Sequence, residues 1–204
     1  VRGNPAAGLA RYAALPALSR VTIRVSYPDS ETGYVAVDKA IGSGFTLRAY
    51  LASLRTVIRR LENAALDLQF ADARFLTADT RTDLSKVPGE NSVDLIVTSP
   101  PYPNANDYHL YHRFRLFWLG FDPRELAKVE IGSHLRHQRN DSGFEEYRDD
   151  MTVALEGCLR ILQPGRYAVL VVGDALFKGD FFSTSEAISA AASLAGFSVL
   201  GTVE

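Results

Sequence analysis

Apolar residues recur along this chain with two different periods, and the period separates its helices from its strands. Helical spacing governs Phe144–Leu162, where Tyr147, Met151, Leu155, Cys158, Leu159 and Leu162 form one stripe that Pro164-Gly165 stops. The same spacing, through Leu47, Tyr50, Leu51, Leu54, Val57, Ile58 and Leu61, predicts a helix over Thr46–Asn63 that packs on a sheet. A third helix over Ser183–Ala195 has Ser183 or Thr184 as its cap and Gly196 as its stop. Another begins near Asp107 and puts Leu110, Phe114, Phe117 and Trp118 on one face. Asn4-Pro5 opens a terminal helix with Leu9, Ala13 and Leu15 on its apolar side. Continuous β-branched runs at Val93–Val97 and Arg166–Val172 read as strands buried on both faces. Shorter runs at Val21–Tyr27, Leu66–Phe70 and Phe197–Glu204 read as further strands, and residues 28–44 as a glycine-containing loop. Strands alternating with helices imply an α/β fold with a mostly parallel sheet.

Composition narrows the function classes. The 204 residues suit one domain, and 47% hydrophobic content is ample for a packed core. A net charge of −2 and a pI near 6.1 exclude a uniformly basic coat, so any nucleic-acid contact must come from a local basic patch. The single cysteine, Cys158, lies on an apolar stripe and forms no internal disulfide, which fits a reducing, cytoplasmic setting. No apolar run is long enough to span a membrane. The chain begins at Val1 and ends within an expected strand, which reads as a fragment.

Candidate chemistry concentrates where the first buried run ends, at Ser92-Val-Asp-Leu-Ile-Val-Thr-Ser-Pro-Pro-Tyr102. Two prolines hold Ser99 and Pro100 extended at the strand's carboxyl end, the edge where open α/β sheets bind ligands. Ser99 and the Pro100 carbonyl are acceptors, and Tyr102 offers a flat aromatic face. Together they suit a planar ring that carries an amine. Asp72 and Asp174 also fall at carboxyl ends of expected strands, where Asp also serves as a turn or cap residue, a reading that weighs evenly for Asp174. Asp94 lies at the opposite end of its strand and is assigned to structure. All four histidines, His109, His112, His134 and His137, fall between residues 109 and 137, without the acidic or cysteine partners of a recognisable metal site.

Thr98-Ser99-Pro100-Pro101-Tyr102 after Asp94-Leu-Ile-Val97 resembles the catalytic motif of S-adenosylmethionine-dependent DNA amino-methyltransferases. The resemblance covers residues 66–204 well and 1–65 poorly. It implies a Rossmann-like class I methyltransferase fold, incomplete at the N-terminus. Residues 1–65 would be part of the cofactor-binding region with a loop insertion and one helix. Residues 66–204 would be the catalytic core, with 103–143 as a candidate DNA-contact insertion. Serine in the motif's second position is similar to the cytosine-N4 subset, with adenine-N6 methylation as the alternative. The resemblance assigns catalysis to Ser99, Pro100, Pro101 and Tyr102, and cofactor contact to Asp72 and Thr98. DNA contact falls to His109, His112, Arg113, Arg136 and Arg139, since basic side chains in a polar segment suit phosphates. It implies S-adenosylmethionine as cofactor, double-stranded DNA as substrate, no metal, and a cognate restriction endonuclease as a candidate partner, and it leaves the oligomeric state open.

Two departures stand out. Arg2 occupies the place, two residues before Asn4-Pro5, where an acidic residue often holds the cofactor ribose. Asp38-Lys-Ala-Ile-Gly-Ser-Gly44-Phe-Thr46 imitates the family's glycine-rich cofactor loop, but residues 45–71 lack room for the elements that should follow it. That loop is therefore expected upstream of Val1. A noncatalytic DNA-binding remnant of the fold, and a methyltransferase acting on RNA, are the remaining alternatives.

Overall fold

The computed structural model describes residues 5–27, 37–67, 73–82, 89–103, 107–133, 143–177 and 180–203. Its chain divides into a unit of residues 1–74 with 108–126, and a unit of residues 75–107 with 127–204. All of 108–126, expected to belong to the DNA-contact insertion, falls in the first unit.

Among its described residues the first unit is helical. Helix α1 (Pro5–Val25) starts where Asn4-Pro5 predicts, although Asn4 itself lies outside the described residues. It continues through Pro16 and through the segment expected to be the strand Val21–Tyr27. The reason is packing. Ala13, Ala17 and Val21, four residues apart, are all buried on one face, and this stripe outweighs the weak β-preference of Val and Ile. Lys39 Nζ donates to the Ile23 carbonyl at 2.7 Å, covering one of the acceptors left open at the helix end. Helix α2 (Phe45–Asp67) contains the predicted 46–63 but packs against α1 rather than a sheet. Periodicity identifies an apolar face, not its partner. Helix α2 also absorbs Leu66 and Asp67, expected to open a strand, and residues 68–70 lie outside the described residues.

The predicted helix over 108–119 is two pieces, α3 (Tyr108–Tyr111) and α4 (Arg113–Leu119), separated at His112. Gly120 at φ 86° ends α4, with Phe121 N–H reaching back to the Leu116 carbonyl at 2.8 Å. Leu110 and Phe114 are half-buried, but Phe117 and Trp118, expected on the same core face, are exposed and meet edge to face. Helix α5 (Pro123–Val129) carries the chain from the first unit to the second.

Mixed α/β structure appears in the second unit. Strand β1 (Val93–Thr98) pairs in parallel with β2 (Leu162–Leu170), and helix α6 (Gly143–Ile161) leads directly into β2. Register is regular from Leu95 opposite Tyr167 to Thr98 opposite Leu170, after an irregularity around Pro164-Gly165. The regular part of β2 thus begins where Arg166–Val172 was expected. Asn91 and Ser92 donate to the Arg160 and Ile161 carbonyls at 3.0 and 2.9 Å, tying the entry of β1 to the end of α6. A short antiparallel pair, β3 (Ala175–Phe177) with β4 (Asp180–Phe182), was not legible in the sequence. Helix α7 (Thr184–Leu194) has the predicted Ser183 cap, whose Oγ accepts from Glu186 N–H at 3.3 Å, and Gly196 follows it at φ 98°. Residues 197–203, expected as a strand, join no ladder.

The core of this unit lies between α6 and α7. Tyr147, Met151, Leu155, Ile188, Ala191 and Ala195 are buried together, with Leu170 and Val172 packed against them. Cys158, as expected, is a partly buried thiol pushed upward in pKa by burial. Among the described residues only one face of β1 and β2 is covered, where burial on both faces was expected. Val97 is 65% exposed and Tyr167 59%, with Leu95, Val169 and Val171 exposed beside them. An unbroken apolar run permits burial on both faces but does not require it. Val97→Thr is therefore expected to change the free energy of unfolding by less than about 0.5 kcal/mol in urea titration. A loss of about 2 kcal/mol would instead mean that both faces are covered.

Among the described residues, no helix is long and apolar enough to cross a membrane.

Candidate active site

The Thr98–Tyr102 motif leaves the carboxyl end of β1 beside the exit of β2. Val171 N–H donates to the Thr98 carbonyl at 2.9 Å, extending the ladder one step past the strands and fixing the two exits side by side. From there Ser99 is exposed, Pro100 is buried, and Pro101 and Tyr102 are half-buried. Ser99 Oγ and the Tyr102 hydroxyl are 3.0 Å apart, within hydrogen-bond distance. Tyr102 also lies over the β2 exit: a Cβ on Gly173 would stand 3.6 Å from its ring.

Behind the motif is a brace that the sequence did not announce. The Tyr147 hydroxyl donates to the Pro101 carbonyl at 2.9 Å, from a side chain that is wholly buried. Gly132, at φ 76°, presses on the same loop, and Ser133 Oγ donates to Asp107 Oδ1 at 2.7 Å. Tyr147 had been read only as one member of an apolar stripe. Its signal was the hydroxyl, because a tyrosine in a core position needs a hydrogen-bond partner.

Asp174 takes the turn-and-cap role: its Oδ1 accepts the Thr184 N–H at 3.0 Å, at the start of α7. Asp94 lies 3.3 Å from Arg166, at the end of the sheet away from the motif, in keeping with a structural role. Asp72, Arg136 and Arg139 lie outside the described residues. His109, His112 and Arg113 belong to the first unit. His109 is buried. Arg113 donates to the Leu110 carbonyl at 2.7 Å and lies over the Phe114 ring, while His112 Nδ1 is 3.1 Å from Arg115 Nη1.

No family model, curated protein or solved structure matches the chain. Ser99 and the backbone carbonyls of the motif are acceptors beside an aromatic ring, a set suited to an amine on a planar heterocycle. The donor set for S-adenosylmethionine fits less well. Of the two residues expected to touch it, Thr98 gives its carbonyl to the ladder and Asp72 lies outside the described residues. Gly42 and Gly44 lead into α2 in a unit whose described residues contain no strand, and residues 28–36 before them lie outside the described residues.

Proposed function

We propose that this chain carries the catalytic motif of an S-adenosylmethionine-dependent DNA methyltransferase of Rossmann-like fold, acting on the exocyclic N4 amine of cytosine. One observation carries the reading: Thr98-Ser-Pro-Pro-Tyr102 lies at the carboxyl end of a strand in a parallel pair, with Ser99 Oγ 3.0 Å from the Tyr102 hydroxyl.

The amine of cytosine is a poor nucleophile because its lone pair is delocalised into the ring. Acceptors that take its two hydrogens favour the pyramidal nitrogen with a localised pair, and Ser99 Oγ and the Pro100 carbonyl are such acceptors. Ser99 can accept through both lone pairs only if its own proton points elsewhere, and the Tyr102 hydroxyl is within reach to take that bond. The ring of Tyr102 provides a stacking surface for a base extruded from the duplex, since the target nitrogen is inaccessible within it. S-adenosylmethionine, when bound, supplies an electrophilic methyl group. The chain's own contribution is to hold the amine, strip its delocalisation and keep the acceptors fixed, so that they act on charge developing at nitrogen.

Adenine-N6 methylation would use the same acceptors and is the nearest alternative. A noncatalytic DNA-binding remnant is a second reading, favoured by the missing cofactor cradle among the described residues. Ultraviolet crosslinking with labelled S-adenosylmethionine separates them. Labelled protein, competed by unlabelled cofactor, is the expected result. Retention of duplex DNA without any cofactor labelling would favour the remnant.

A further inference from the structure

We propose that Tyr147 is a positioning residue for the candidate site, its hydroxyl fixing the Pro100-Pro101 loop and Gly132 allowing ring and loop to close together. The kinetic test of this inference rests on the methyl-transfer reading; its structural test does not.

Two consecutive prolines stiffen the loop in φ but remove two amide donors. Such a segment can be tied to the rest of the fold only through its carbonyls, so the donor must come from elsewhere. Tyr147 supplies it at 2.9 Å. The donor is well mounted, because the ring of Tyr147 is wholly buried among Met151, Leu155 and Ile188, the core shared by α6 and α7. The Pro101 carbonyl belongs to the peptide unit that leads into Tyr102, one unit beyond the Pro100 carbonyl. Holding it therefore restrains both the expected acceptor and the base of the expected stacking residue.

Gly132 completes the device. Its φ of 76° is left-handed, and a Cβ there would stand 3.3 Å from the Tyr102 carbonyl oxygen, 3.3 Å from Tyr147 Cδ2 and 3.4 Å from Pro103 Cα. Any side chain would strain the backbone and wedge apart the groups that the hydroxyl joins. Ser133, 2% exposed, anchors the same turn through Asp107.

Tyr147→Phe keeps the ring and deletes the hydroxyl. In the full chain it is expected to lower kcat for methyl transfer about tenfold while KM for S-adenosylmethionine changes less than about twofold, the signature of a misplaced reacting group. Leu155→Val trims the same core away from the loop and is expected to lower Tm without lowering kcat. A fall in kcat for Tyr147→Phe no larger than that for Leu155→Val overturns the positioning role. The carbonyl ¹³C chemical shift of Pro101 in the labelled chain gives a readout independent of activity. It should move upfield in Tyr147→Phe, which removes the hydrogen bond to that carbonyl, and remain unchanged in Leu155→Val. An equal Pro101 carbonyl shift in wild type and Tyr147→Phe overturns the brace. A wild-type chain that transfers no methyl group defeats the methyltransferase reading, and the carbonyl shift then decides on Tyr147 by itself.

Discussion

Ser99→Ala is expected to slow methyl transfer to duplex DNA roughly 10²–10³-fold, about 3–4 kcal/mol in the transition state. S-adenosylmethionine affinity should be essentially unchanged. The magnitude follows from what the hydroxyl does. It accepts a hydrogen from the amine most strongly when the nitrogen has become pyramidal, so its loss falls on kcat rather than on binding. Ser99 is exposed, which makes a large loss of stability from this substitution unexpected. Single-turnover rates with a saturating duplex, alongside equilibrium binding of the cofactor, make the comparison. Equal losses in rate and in cofactor affinity would remove Ser99 from the role of amine acceptor.

Arg81→Ala is expected to destabilise the second unit by about 2–3 kcal/mol, read from urea unfolding. Arg81 connects three places in the chain. Nε and Nη2 hold the Asp79 carboxylate at 3.0 and 2.8 Å, Nη1 reaches Asp150 on α6 at 2.8 Å, and Nη2 reaches the Val129 carbonyl at 2.7 Å. With the Arg81 side chain 14% exposed, and those of Asp79 and Asp150 26% and 19%, removing the cation takes its charge-assisted hydrogen bonds from two partly buried carboxylates. The residual exposure keeps the cost below that of a fully buried pair.

The same cluster sets an acid limb. Hydrogen bonds from Arg81 hold the Asp79 carboxyl below its ordinary value, against an opposing push from burial. A group whose folded value is depressed contributes in full above its unfolded value, near pH ~4, and loses that contribution as pH falls through the folded value. Asp79→Asn should therefore flatten the decline of stability below about pH 4. An unchanged acid limb would place the responsible carboxyl elsewhere.

How much of this was legible in the sequence depends on the kind of signal. Helix α6 was readable to within a residue, because Tyr147, Met151 and Leu155 bury one long stripe and Pro164-Gly165 stops it. The Ser183 cap and the Gly196 stop of α7 were equally plain, since both depend on local chemistry. Val21–Val25 misled because β-branched composition is a weaker signal than the four-residue spacing of Ala13, Ala17 and Val21. Which partner covers an apolar face was not readable: α2 packs on α1, and one face of β1 is open. In the site, Ser99 and Tyr102 were found because their motif is contiguous. Tyr147 and Gly132 come from distant positions and meet the loop only in the fold. Asp174, a candidate from its place after a strand, caps α7 instead.

In the proposed function Ser99, Pro100 and Tyr102 present an amine for methylation. Its most direct test combines the chain with methyl-labelled S-adenosylmethionine and unmethylated duplex DNA, followed by digestion to nucleosides and chromatography. Label in N4-methylcytosine is the predicted result. Label in N6-methyladenine would keep the site and change the base. Bound cofactor with no label in any DNA nucleoside would contradict the account.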